Sequence, residues 1–189
     1  MRSLLLLCLS ISLLLILDAC KERRSTIVTH DACSLVFKEE VASVQEAQMD
    51  ETKSSEHSDG VFRVSQCFYT AAEFSKSVSL ALIRKDPNQR DKRSPKDFWK
   101  EKFGPFTAKE RERDRKAETK AREEKEEGTP PKKISSLGDD AYWISNRFGG
   151  ILYVLKGDAF ISISLGGTDD EATKLKKSKA LAQQALQRL

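Results

Sequence analysis

The chain has 189 residues, 39% of them hydrophobic and 33% charged, with a formal net charge of +4. That length fits one domain plus an export signal and a linker, and the low apolar share leaves part of the chain outside any core. So small a surplus of positive charge, without a basic patch, does not indicate a nucleic-acid binder.

In chain order, Met1-Arg2-Ser3 is a short, singly charged start, and Leu4 to Ile16 is a thirteen-residue apolar run. A membrane-spanning helix needs about 20 apolar residues. The run therefore reads as the h-region of a secretory signal peptide over residues 1–19. It ends in Leu17-Asp18-Ala19-Cys20, which resembles the bacterial lipobox through Leu17, Ala19 and Cys20. Asp18 departs from that pattern, where a small or uncharged residue is usual. Cys20 is thus the expected lipid attachment point. The other cysteines are Cys8, Cys33 and Cys67. Cys8 leaves with the signal, and three cysteines in an oxidising compartment is an odd number that asks for an explanation. With Cys20 lipidated, Cys33 and Cys67 remain. They are either bridged, closing a loop worth about 3–4 kcal/mol, or two buried free thiols.

Residues 21–30 are polar and aperiodic and read as a tether. The domain is expected over residues 31–189. Ser34 to Gln45 reads as a helix with Leu35, Val41 and Val44 on its apolar side. Met49 to Gly60 is polar and ends in the turn signal Ser58-Asp59-Gly60. Two strands follow. In Val61 to Tyr69, Phe62, Val64 and Phe68 share one face, and Cys67 and Tyr69 the other. In Phe74 to Arg84, Val78, Leu80 and Leu82 oppose Ser77 and Ser79. Ser94-Pro95-Lys96-Asp97 carries the marks of a helix start, with Phe98, Trp99 and Phe103 as buried residues and Gly104-Pro105 as its stop.

Thr107 to Glu127 holds eight basic and eight acidic residues and only alanine as apolar content. It has no face to bury. It reads as the centre of a charged insertion over about 104–133, either a solvated helix or a disordered loop. Beyond it, Leu137 to Asp140 makes a turn. Strands are expected at Ala141–Ser145, Gly150–Leu155 and Ala159–Leu165, the last with Ile161, Ile163 and Leu165 inward. Thr168 to Glu171 matches a capping box. The final helix has Ala172, Leu175, Ala182, Ala185, Leu186 and Leu189 as its stripe, with Lys174, Lys176, Lys177 and Lys179 outside it. The elements together predict an α+β fold, an antiparallel sheet flanked by helices.

These features resemble a family of small bacterial exported lipoproteins of unknown function with a PsbP-like α+β sandwich. The resemblance rests on Ala32-Cys33-Ser34-Leu35 followed by Lys38-Glu39-Glu40-Val41, on Gln66-Cys67-Phe68-Tyr69, and on Leu137, Gly138, Asp139, Ala141 and Tyr142 with Trp143 beyond. It covers residues 31–103 and 134–189. It implies a disulfide between Cys33 and Cys67, and it carries over no catalytic residue.

Motifs for chemistry are sparse. His30 and Cys33 suit metal ligation in type, yet no second ligand pair stands at zinc spacing. His57 lies in a polar stretch. No serine sits in a Gly-x-Ser-x-Gly elbow. Gly149-Gly150 and Gly166-Gly167 lack the lysine and spacing of a phosphate loop. Asp139-Asp140 are paired carboxylates of the kind acid–base work uses. Asp169-Asp170 are better read as acids at a helix N-terminus. Arg84 to Lys102 has a local surplus of four positive charges, which reads as a solvated helix and loop with anionic lipid as its easiest partner. Trp99, Tyr142, Trp143 and Phe148 read as core rather than a ligand groove.

The expectation is a non-enzymatic, monomeric envelope protein with no cofactor, metal or nucleic acid. It is held to a membrane by lipid at Cys20 and binds a protein or a small ligand. Lys21 after the cysteine favours the outer membrane over the periplasmic face of the inner one. The alternatives are a soluble periplasmic or secreted protein of the same fold, and an enzyme of another type.

Overall fold

The computed structural model describes residues 31–88, 93–116, 130–147 and 149–189. The expected signal peptide, Cys20, the tether and His30 lie outside them, as do residues 117–129 of the expected insertion and Phe148.

The described residues form one antiparallel seven-stranded sheet with helices on both faces. Chain order is α1 (Ala32–Leu35), α2 (Lys38–Gln45), β1 (Met49–Ser58), β2 (Phe62–Ala71), a 3₁₀ turn (Phe74–Lys76), β3 (Val78–Lys85), α3 (Pro95–Lys116), β4 (Lys132–Lys133), β5 (Asp140–Ile144), β6 (Ile151–Lys156), β7 (Ala159–Leu165) and α4 (Glu171–Arg188). The strands lie in the order β1-β2-β3-β7-β6-β5-β4. The expected α+β class is therefore observed.

Alternation decides which side chains go where. On one face, Cys67, Tyr69, Val78, Leu80, Leu82, Ile161, Ile163, Leu152 and Trp143 meet the helices α1, α2 and α4 in a single core. On the other, Phe62, Ala81, Ile83, Phe160, Leu155 and Tyr142 meet Trp99 and Phe103 of α3. Burying an aliphatic side chain of this size contributes about 1.5–3 kcal/mol. The first face, with more aliphatic residues, holds most of that energy. Phe103 stacks on Tyr142 at a centroid distance of 4.6 Å and Trp99 lies 4.5 Å from Phe103.

Several local expectations are corrected. Residues 49–58, expected as a polar turn region, form the edge strand β1. It pairs only with β2, and nine of its ten residues are exposed, so neither face selects apolar residues. The expected helix over 34–45 is two helices, because Val36 is extended (φ −140°, ψ 128°). That conformation turns its carbonyl to the Tyr69 hydroxyl, which donates to it at 2.6 Å. Gly104-Pro105 does not stop α3, which runs to Lys116 with Pro105 exposed inside it. Losing one N–H there is offset by the strong helix formers that follow. Residues 107–116, the start of the charged segment, are helical and continue α3, the first of the two forms expected for it.

The capping box is also absent. Asp170 is the N-cap of α4 and accepts from the Thr173 N–H at 2.7 Å. Glu171 reaches sideways instead, accepting from the Trp143 indole at 2.7 Å and from the Ser145 hydroxyl. Finally, Lys174 is buried on the core side of α4, Ser178 and Leu181 join the stripe, and Ala172, expected in it, is exposed one turn before the core contact begins. The Lys174 stem lies where a Cβ on Gly149 would stand, 2.6 Å from its Cδ.

Candidate functional site

Asp31 caps α1, accepting from the Ser34 N–H at 2.8 Å, and the Ala32 N–H donates to the Ser65 hydroxyl on β2 at 2.9 Å. These bonds hold α1 across β2 and bring Cys33 over Cys67. The two are joined by a disulfide, with Cα atoms 5.0 Å apart and a sequence separation of 34. Cys67 is fully buried.

The last turn of α4 grips the same segment. Arg188 donates two hydrogen bonds to the Glu40 carboxylate, at 2.7 and 2.8 Å, and one to the Leu35 carbonyl at 2.9 Å. Its guanidinium also lies 4.3 Å from the Phe37 ring centroid. The Arg188 hydrogen bonds hold the Glu40 carboxyl below its usual range. Burial pushes the Tyr69 phenol up.

The second sheet face is covered only in part. α3 crosses it over β3, β7, β6 and β5, and the Lys102 ammonium sits 4.6 Å from the Tyr153 ring centroid, where burial lowers its pKa. Trp99 donates its indole N–H to Asp140 at 3.0 Å. Towards the other end of β2, β3 and β7 the face is open and polar, with Gln66, Ser79, Ser162 and Ser164 reaching solvent.

At the margin of this open area stands Phe74, 70% exposed, with its ring 6.3 Å from that of Phe68. The turn that carries it is firmly held. Ser77 accepts from the Ala71 N–H at 3.1 Å and donates to the Phe74 carbonyl at 2.7 Å. Gln45 donates to the Lys76 carbonyl at 2.7 Å, and the Gly166 N–H donates to the Ser77 carbonyl at 2.9 Å. Gly166 has to be glycine for this approach, since a Cβ there would collide with the Ser75 carbonyl oxygen. An exposed aromatic on a rigid turn is the kind of group that anchors a partner, because little entropy is lost on contact.

The remaining candidate residues do not converge on this surface. His57 is exposed on β1 opposite Val64. Asp139 accepts from the Gly157 N–H at 2.7 Å and lies 3.7 Å from Lys156. Asp140 points the other way, to Trp99 and Lys133. The pair is therefore split between two structural tasks. Asp169 pairs with Lys177 at 2.6 Å, while Asp170 caps α4. Trp143 and Tyr142 are buried on opposite sheet faces, as alternation requires. Gly150 closes the β5–β6 hairpin directly against the Trp143 ring. Among the described residues, no three His, Cys, Asp or Glu side chains stand together as they would around a metal ion. No described helix is long and apolar enough to cross a membrane.

The Phe68–Phe74 pair is not foreseeable from the residues. Phe74 sits two residues after an Ala-Ala pair and shares parity with the buried Val78 and Leu80. Only the 3₁₀ turn takes it out of the strand and off the core face. No family model, no curated protein and no solved structure matches this chain.

Proposed function

We propose that the chain is an exported envelope protein, anchored by lipid at Cys20, whose PsbP-like domain binds a partner protein or a small ligand and catalyses no reaction. The observation that carries the anchoring is the disulfide. It accounts for Cys33 and Cys67. Cys8 lies in the apolar run, so Cys20 is the one cysteine left, and it follows a lipobox-like Leu17-Asp18-Ala19. An odd cysteine at that position in an exported chain is best explained by a thioether to lipid. The binding role is supported by Phe74, held out to solvent on a turn fixed by four hydrogen bonds. The PsbP-like reading is supported by the order of helices and antiparallel strands and by the bridge between α1 and β2.

Asp18 favours a second reading, cleavage by an ordinary signal peptidase and release as a soluble protein. Replacing Cys20 with Ser and fractionating cells separates the two. The wild type stays with the membranes and C20S moves to the soluble fraction if Cys20 is acylated. An unchanged distribution, with both forms soluble, supports the second reading.

A further inference from the structure

We infer that α4 is a docking face for anionic phospholipid, which lays the anchored domain helix-side down on its membrane. From Ala172 to Leu189 the chain has five basic and no acidic side chains. Three of the five are occupied elsewhere. Lys174 is buried, Lys177 pairs with Asp169 and Arg188 with Glu40. Lys176 and Lys179 remain, with no carboxylate of the described residues paired to either. They line a shallow depression with the exposed Ala172 and Gln183, the half-buried Ala180, and Leu175, which also packs against the core. Small and apolar groups between two lysines suit a headgroup layer, where stems lie against apolar matter and ammonium groups meet phosphate.

The tether decides which surface comes near. From Cys20 to Asp31 the chain spans at most about 40 Å. It enters the fold at α1, which packs against α4 in the helix layer. The inference thus rests on the anchoring at Cys20, which keeps α4 within reach of the surface at high effective concentration. The neighbouring α2 carries Glu39 and Glu40 against a single Lys38, so charge turns α4 rather than α2 to the lipid. On the sheet's other side, α3 mixes signs, and its neighbour Arg93 lies 3.9 Å from Glu101. The basic stretch 84–102 is therefore the weaker candidate.

The test is lysine footprinting by an amine-reactive ester. The mature chain is held on vesicles by its own lipid or, if Cys20 carries none, by coupling its thiol to a maleimide-headgroup lipid. Failure of the anchor reading, seen in the mass of the N-terminal peptide, then stays separate from failure of docking. On mixed phosphatidylcholine–phosphatidylglycerol vesicles, labelling of Lys176 and Lys179 should fall on the order of fivefold relative to pure phosphatidylcholine. Lys96 and Lys100 on α3 should not change. Salt on the order of 0.5 M, which shortens the screening length to a few ångströms, should restore the labelling. Equal labelling of Lys176 and Lys179 on the two lipids overturns the inference. So does protection of Lys96 and Lys100 in their place.

Discussion

The two faces of the sheet are built differently. One is closed: three helices cover it, a disulfide crosses it, and its aliphatic core holds Leu80, Leu82, Ile161 and Ile163 at 2% exposure or less. The other is half open: one helix covers part of it through stacked aromatic rings, and hydroxyl and amide side chains take the rest. Stability and presentation are thereby separated. The closed face holds the fold and the short helix α1 that opens the described chain. The open face and its margin, where Phe74 stands, are free to vary without loosening the core.

That division can be broken, and the largest effect is expected at Trp143. It is 1% exposed, and its indole also satisfies Glu171. Trp143→Ala should cost about 3–5 kcal/mol in chemical denaturation; a loss below about 1 kcal/mol would mean that the closed face does not hold the fold. Next comes the bridge. Replacing Cys33 and Cys67 together by Ala should cost about 3–4 kcal/mol, as expected for releasing a loop of this length. An unchanged midpoint under reducing conditions would count against that value.

The Arg188 clasp gives a smaller, pH-dependent effect. Glu40 titrates below its ordinary value of 4.5 because Arg188, first of all, hydrogen-bonds its charged form. A carboxyl lowered by folding contributes stability that is present above its unfolded pKa and lost as pH falls through its folded pKa. The gap between wild type and Glu40→Gln should therefore be full at neutral pH and shrink below about pH 4.5. A gap that stays constant down to about pH 3, on the order of one unit below the unfolded carboxylate value, would show that the clasp works by packing alone. The smallest effects belong to the open face. Gln66→Ala and Ser79→Ala should each stay within about 0.5 kcal/mol of wild type, and a larger loss would show that the face is covered after all.

Legibility in the sequence follows the same division. Residues on the closed face alternate strictly. The parity of Cys67 and Tyr69 against Phe62 and Val64, and of Val78, Leu80 and Leu82, is therefore readable from the order of residues alone. The turn at Asp59-Gly60 and the hairpin at Lys156-Gly157-Asp158 declare themselves through turn chemistry, though not the strand that precedes the first. Local inference fails where tertiary context decides. β1 carries no apolar pattern because an edge strand with two exposed faces has no core to match. Pro105 marks a helix stop by its chemistry, yet α3 continues through it. Glu171 fits a capping box by spacing, but Trp143 and Ser145 offer it better donors. Lys174 falls on the apolar side of its helix because its long stem can lie under Gly149.

The central claim is a division of labour among three cysteines, and one experiment reaches it directly: a non-reducing peptide map, by mass spectrometry, of the protein taken from cell membranes. The expected result is an N-terminal peptide that starts at Cys20 and carries acyl chains, together with a cross-linked pair containing Cys33 and Cys67. A free, unmodified amino terminus at or near Cys20, or alkylatable thiols at Cys33 and Cys67 in the native protein, would contradict it.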